Sequence, residues 1–175
     1  MTLPAWHEEP IGKTQDRKGF DCGDEALNEF LAKYARQAHE TGSSKTFCAM
    51  DDANPGRILG FYSIAPAELD FSRIPDTLRK GLPRHGVGGF RLARLAIARS
   101  VQGNGLGGQL LGAAARRALL AAAAVGGVIL VIDAKSDRAA DWYAAYGGVR
   151  LADAPRTLVM PLATFAVDLK ARGNL

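Results

Sequence analysis

The stretch from Phe90 to Ala134 constrains the fold more than any other part of the chain. Phe90–Ala98 alternates in polarity, as a strand does. Gln102-Gly103-Asn104-Gly105-Leu106-Gly107-Gly108 follows and reads as a turn. A helical run comes next, from about residue 107 to 124. It leads into Gly127–Ala134 (G-V-I-L-V-I-D-A), a continuous apolar run expected of a central strand buried on both faces. Strand, glycine turn, helix and strand in that order are an α/β pattern.

The remaining segments extend this pattern. Asp24 and Glu25 suit the first turn of a helix. Leu27, Phe30, Leu31, Tyr34, Ala35 and Ala38 then form one apolar stripe, which Thr41-Gly42-Ser43-Ser44 ends. Thr46–Met50 and Arg57–Ile64 flank the turn Asn54-Pro55-Gly56 and predict an antiparallel hairpin. Residues 65–88 read as a connection with a short helix near Pro75–Leu82. Asp137–Tyr146 reads as a short helix, Thr157–Pro161 as a last strand, and the tail to Leu175 as a helix. The expected fold is α/β with a mixed, mostly antiparallel sheet of about six strands.

At 175 residues the chain is too short for a cofactor domain plus a substrate domain, so one domain over residues 1–175 is expected. A hydrophobic content of 47% is enough for a sizeable core. Met1–Pro10 holds Trp6, His7, Glu8 and Glu9 where a signal peptide needs an apolar run. The uncharged run Ala118–Ile132 falls short of the roughly 20 residues that span a bilayer. A cytoplasmic protein with no membrane contact is expected. Cys22 and Cys48 have no metal-ligand spacing and read as reduced thiols, and no metal is expected.

Charge is unevenly spread beneath a net +4. Residues 1–70 hold seven lysines and arginines against twelve acids. Residues 71–132 hold nine basic residues and only one acid, Asp76. Seven of those nine lie between Arg73 and Arg99. A basic segment of this kind suits a polyanionic ligand, and a solvated arginine face is the plainer reading.

The glycine turn admits two ligand-binding readings. Glycines let backbone approach a ligand closely, and the helix N-terminus behind them offers open amides and a partial positive charge. Gly103, Gly105 and Gly108 spell a dinucleotide fingerprint, with Asp133 ending the next strand. Four residues, Arg99 to Gln102, separate that turn from its strand, and Asp133 lies farther on than the customary spacing of about 20 residues. No Gly-Lys-Ser/Thr follows, which excludes a P-loop.

The second reading fits better. Gln102-x-x-Gly105-x-Gly107 resembles the R/Q-x-x-G-x-G/A signature of the GNAT superfamily of N-acetyltransferases. Trp142-Tyr143-Ala144-Ala145-Tyr146-Gly147 resembles that family's F-Y-x-x-F-G. Phe20-x-Cys22-Gly23, Leu27-Asn28-x-Phe30-Leu31, Gln37, Thr46-Phe47, Gly60-Phe61-Tyr62, Arg94-Leu95-Ala96-Ile97 and Asp133-Ala134 are similar to the GNAT toxins of bacterial toxin–antitoxin pairs. The chain departs from the pattern at Trp142 and Tyr146, which replace phenylalanines, and at Gly148, where an aromatic usually follows.

The resemblance implies an acetyl-CoA-dependent enzyme that acetylates the α-amino group of aminoacyl-tRNA and stops translation. It implies a sheet splayed after Ile97, so that the backbone of Leu95, Ala96 and Ile97 pairs with the amides of the cofactor arm. Gln102, Gly103, Asn104, Gly105, Leu106, Gly107 and Gly108 would hold the pyrophosphate. Tyr143 matches the family's proton donor to the leaving thiolate, with Tyr146 as the fallback. A small antitoxin partner, such as a DNA-binding repressor of the same operon, and a homodimer are expected with it.

Residue chemistry adds its own constraints. His7, His39 and His85 are scattered, and no Ser-His-Asp or Cys-His nucleophile is visible, which favours direct transfer. No base is evident either. An α-amine near pKa 7.7–8.0 needs less help than a lysine near 10.4, so the lack of a base suits an α-amine acceptor. Lys33, Arg36, Arg79, Lys80, Arg84 and Arg94 are the candidate contacts to the tRNA backbone. Acetylation of a small amine or protein N-terminus, and a non-catalytic nucleotide- or RNA-binding module, remain the competing readings.

Overall fold

The computed structural model describes residues 2–171 and Gly173. It opens on a strand that the sequence reading omits. β1 (Trp6–Pro10) pairs antiparallel with β2 (Lys45–Asp51), Trp6 opposite Asp51 and Pro10 opposite Phe47. His7, Glu8 and Glu9 hide its alternation, yet charge is what an edge strand carries to deter pairing with other chains.

The first helical segment is three pieces in series: α1 (Glu25–Glu29), a π-helical turn (Phe30–Tyr34) and α2 (Ala35–Thr41). The Asp24 side chain caps α1 by accepting from the Leu27 amide at 3.1 Å. Gly42 stops α2 at φ +83°, and its amide returns to Ala38 O at 3.0 Å. The apolar stripe is buried at Leu27, Phe30, Leu31 and Ala35, but Tyr34 is 55% exposed, because the π-helical turn Phe30–Tyr34 shifts the phase of the stripe. Leu31 and Ala35 are fully enclosed, and Phe30 stacks on Phe61 with centroids 6.2 Å apart.

β3 (Ile58–Asp70) pairs antiparallel with β2 and is longer than the hairpin reading allows. β4 (Gly86–Ile97) also starts earlier than expected. Both ends of the segment read as a connection, 65–70 and 86–88, are therefore strand. In β3 the alternation of buried and exposed residues continues past Pro66 to Asp70. The helix expected near Pro75–Leu82 is only a 3-10 turn, Asp76–Leu78, preceded by another at Phe71–Arg73. One short turn between Pro75 and Gly81 cannot offset the cost of helix nucleation.

α3 (Leu106–Val125), β5 (Ile129–Asp133), α4 (Asp137–Ala145), β6 (Val149–Arg150), β7 (Thr157–Pro161) and α5 (Leu162–Ala171) complete the order. The remainder of the helix expected up to Leu175 falls on Arg172, Asn174 and Leu175, which lie outside the described residues. Among the described residues the mixed sheet has seven strands, one more than the six or so expected, the addition being β1, in the order β1-β2-β3-β4-β5-β7-β6. β4 and β5 are parallel, while β1–β2, β2–β3, β5–β7 and β7–β6 are antiparallel. At Gly89 the backbone of β4 lies against β5 with no room for a side chain. A Cβ there would lie 2.0 Å from Ile129 O.

The chain divides into two compact units. One comprises residues up to Ala65 with Arg94–Leu111; the other comprises Pro66–Ala93 with the residues from Gly112 onward. The first is built on Phe20, Phe30 and Phe61, with Phe20 edge-on to Phe61 at 5.5 Å. It also holds both cysteines, which are free and buried. Burial, reinforced by Glu9 and Glu8, pushes the Cys48 thiol up to about 12. The second is built on Leu69, Ile74, Val87, Ile129, Val131 and Val159, all buried. Fully burying a side chain of this size contributes roughly 1.5–3 kcal/mol.

Candidate active site

In the first unit, β4 delivers Leu95, Ala96 and Ile97 to the glycine turn. A single 3-10 turn, Arg99–Val101, intervenes. Gly103 and Gly105 sit at φ +82° and +88°, in the left-handed region that favours glycine. A Cβ at either would meet nothing within 4 Å, so conformation demands glycine there and the space above is open. Buried Leu106 anchors the start of α3. The Gln109 amide donates to Gly105 O at 3.3 Å, so the amides of Leu106, Gly107 and Gly108 precede the first bond of this turn. Open amides at the N-terminus of a 20-residue helix form an anion cradle.

Two side chains of the signature serve the loop itself. Gln102 Nε2 donates to Ile97 O at 2.8 Å and to Cys22 O at 2.9 Å, tying β4 to the loop before α1. Asn104 Nδ2 donates to Val101 O at 3.0 Å. Both brace the turn.

In the second unit, β4 and β5 stay in parallel register from Gly89 opposite Ile129 to Leu92 opposite Ile132. β4 itself runs on to Ile97. Asp133 ends β5, and one nitrogen of Arg91, Nη1, donates to both of its carboxylate oxygens at 2.7 and 2.8 Å. The sequence reading missed this pair; an acid closing an apolar strand was the available signal.

Ser136 caps α4 by accepting from the Ala139 amide at 3.1 Å, and Ala140 and Tyr143 share its buried face. Tyr143 is only 5% exposed. Its hydroxyl has no hydrogen-bond partner among the described residues, where the one buried side-chain polar atom without a partner is Arg17 Nε. The ring is thus buried while the hydroxyl tip is accessible. Burial, with a further contribution from Asp133, raises the phenol well above its ordinary value of 10. Tyr146 is half exposed and packs on Trp142, centroids 4.7 Å apart. At Gly148, where the family usually has an aromatic, a Cβ would lie 3.1 Å from both Leu158 Cδ2 and Tyr143 O.

The candidate RNA contacts differ in availability. Lys33 pairs with Glu29 and Arg36 with Glu40, each at 3.1 Å along the same helical surface. Arg79 pins the turn after β3, donating to Ile74 O and Ser72 O at 2.8 and 2.9 Å. The Arg94 guanidinium lies 3.7 Å from the Phe30 ring centroid. Lys80 and Arg84 are exposed and have no partner among the described residues.

No family model matches the chain. It is 32% identical, over 133 residues, to a tRNA-acetylating toxin of Mycobacterium tuberculosis, an alignment covering 76% of this chain and 78% of the toxin. The chain belongs to the family of GNAT-type tRNA-acetylating toxins. Its fold is that of solved members. A tyrosine-to-phenylalanine mutant of KacT superposes with TM-score 0.86 at 28% identity, covering 93% of this chain and 98% of KacT. AtaT complexed with acetyl-methionyl-tRNAfMet also reaches 0.86, at 25% identity and 94% and 99% coverage. AtaTR bound with AcCoA reaches 0.82, at 26% identity and 94% and 98% coverage. Like its relatives this toxin-family chain is an acetyltransferase. No helix among its described residues is long and apolar enough to cross a membrane.

Proposed function

We propose that this protein, as a single acetyltransferase domain, moves the acetyl group of acetyl-CoA onto the α-amino group of an aminoacyl-tRNA and so blocks translation. The observation that carries this reading is the cradle of open amides at Gly103–Gly108, shaped by two left-handed glycines. Bound acetyl-CoA supplies a thioester whose acyl carbon takes the amine and whose thiolate leaves. The backbone from Gly103 to Gly108 receives the pyrophosphate, and Leu95, Ala96 and Ile97 align the arm as an added strand would. Gln102 and Asn104 act through the shape of the turn.

Tyr143 is the proton donor. Its raised pKa keeps the phenol protonated through the neutral range in which the α-amine loses its proton, so the donor is loaded where the reaction runs. The same shift makes complete transfer unfavourable before charge develops. The Tyr143 proton therefore moves as the C–S bond breaks and negative charge builds on sulphur. Asp133, the carboxylate whose charge acts on Tyr143, is held by Arg91. An acceptor amine that is neutral near pH 8 suits a site arranged in this way.

Lys80 and Arg84 are the RNA contacts we favour, because their charges are uncommitted. A small antitoxin and a second copy of the chain complete the proposed partners. One observation favours the smaller-amine reading instead: Lys33, Arg36, Arg79 and Arg94 are all engaged within the fold. Labelled acetyl-CoA incubated with total charged tRNA decides between them. Label recovered as an N-acetyl amino acid after ester hydrolysis is the expected result. Label on free amines with none on tRNA would establish the smaller-amine reading.

A further inference from the structure

The first unit contains a cavity of about 250 Å³ that the mechanism above does not use. Its apolar lining is Phe20, Ile58 and Ala98, each under 10% exposed. Arg57, just before β3, and Arg99 and Ser100, in the 3-10 turn after β4, line one side, and Asp16, Gly19 and Asp21 line it from the loop before α1. The volume is below the roughly 300–1,000 Å³ of sites for drug-sized ligands, which suits a single ring system.

The walls are tied together by hydrogen bonds. The Asp16 amide donates to Gly56 O at 2.8 Å, the Arg99 amide to Asp21 O at 2.9 Å, and the Ala98 amide to Leu59 O at 2.8 Å. Arg57 is fixed twice. Its Nη1 donates to the buried Asp51 carboxylate at 2.9 Å and its Nη2 to Ser100 Oγ at 3.0 Å. Its Nε keeps a donor without a partner among the described residues. Asp16 Oδ1 accepts from the Gly19 amide at 2.9 Å, and Oδ2 keeps acceptor capacity.

Two guanidiniums and two carboxylates give the lining no net charge, so it selects neither a phosphate nor a cation. It suits a neutral, flat ring that carries acceptors and donors on its edges. We propose that this cavity binds a nucleobase unstacked from RNA. Guanine is the best match. Arg57 addresses its O6 and N7 acceptors, Asp16 accepts from its N1 and N2 donors, and its faces lie against Phe20 and Ile58. The choice of RNA as the source of the base rests on the function proposed above.

Ligand-observed NMR on the whole protein tests the site, with guanosine, adenosine, cytidine and uridine as probes and free methionine and glycine as controls. Ser100→Trp caps the mouth from an exposed position, and Arg57→Lys keeps the charge but loses the fork. Saturation transfer to the H8 proton of guanosine, weakened at least tenfold in Ser100→Trp and several-fold in Arg57→Lys, with both variants still folded by circular dichroism, is expected. Transfer to no nucleoside, transfer unaffected by both variants, or transfer to a free amino acid alone would overturn the assignment. Neither acetyl-CoA nor acetyl transfer enters this readout. A failure to acetylate charged tRNA would therefore count against the proposed function and leave the nucleobase site standing.

Discussion

Arg91 Nη1 lies 2.7 and 2.8 Å from the two carboxylate oxygens of Asp133, joining neighbouring parallel strands beside the phenol that Asp133 influences. Both side chains are about a third exposed, so solvent screens much of the attraction.

Arg91→Met should lower stability by about 1 kcal/mol, a Tm fall of about 2–4 °C for a chain of this size. It should lower kcat further, because an unpaired Asp133 charge makes Tyr143 a still weaker acid. Adding Asp133→Asn should restore most of the lost stability. A double-mutant cycle on thermal unfolding measures the coupling, and a coupling energy of zero would show that the pair does not hold the strands.

Tyr143→Phe should reduce kcat by roughly 10²–10⁴ and leave acetyl-CoA affinity unchanged. Tyr146→Phe should cost little, since Tyr146 is half exposed and packs on Trp142. For the wild type, kcat/KM should rise with pH as the acceptor α-amine loses its proton, below the roughly 7.7–8.0 of a free α-amino group because the ester withdraws electrons, and stay level to pH 9. The sign follows from the raised Tyr143 pKa: the phenol is protonated below its unfolded value near 10, and the stability it contributes is lost only as pH climbs through the higher folded value. A fall in rate between pH 8 and 9 in single-turnover assays would contradict this assignment.

Gly105→Val should weaken acetyl-CoA binding well over tenfold, more than about 1.4 kcal/mol. Two causes add. The residue is at φ +88°, which a β-branched side chain resists, and the new methyls enter the open space above the cradle. Calorimetry measures the loss, and wild-type affinity in this variant would remove the pyrophosphate from Gly105.

Charge reversal at Lys80 or Arg84 should raise KM for charged tRNA and spare acetyl-CoA affinity. Binding should weaken with salt, with a slope of about 0.7–0.9 per phosphate neutralised. The same change at Lys33 should matter less, because Glu29 already neutralises it. Filter binding across a salt series checks the order.

Where local chemistry dictates structure, the sequence was readable. The limits of Thr157–Pro161 are legible in the sequence, and Gly103 and Gly105, which stand out as residues that let backbone approach a ligand, adopt left-handed backbone in the strand-to-helix turn. What stayed hidden depended on partners distant in the chain. β1 is recognisable only beside β2, since His7, Glu8 and Glu9 mask its alternation. Gln102 reads as a ligand-facing residue until its amide is seen on Cys22 O, 80 positions away. The sequence also gives no sign that the Arg94 guanidinium lies over the Phe30 ring, 64 positions away.

The buried cysteines bear on self-modification. A thioester exchanges readily with any accessible thiolate, and a protein that handles acetyl-CoA risks capturing the acetyl group on its own sulphur. Cys48 escapes because it is fully enclosed and burial holds its thiol far above the usual cysteine range. Cys22, although near Gln102 in the fold, is 6% exposed and turns its Sγ to Asp24 O at 3.6 Å. With both sulphurs withheld, the acetyl group has no sulphur resting place on the protein, and the incoming amine meets the thioester without competition from within the enzyme.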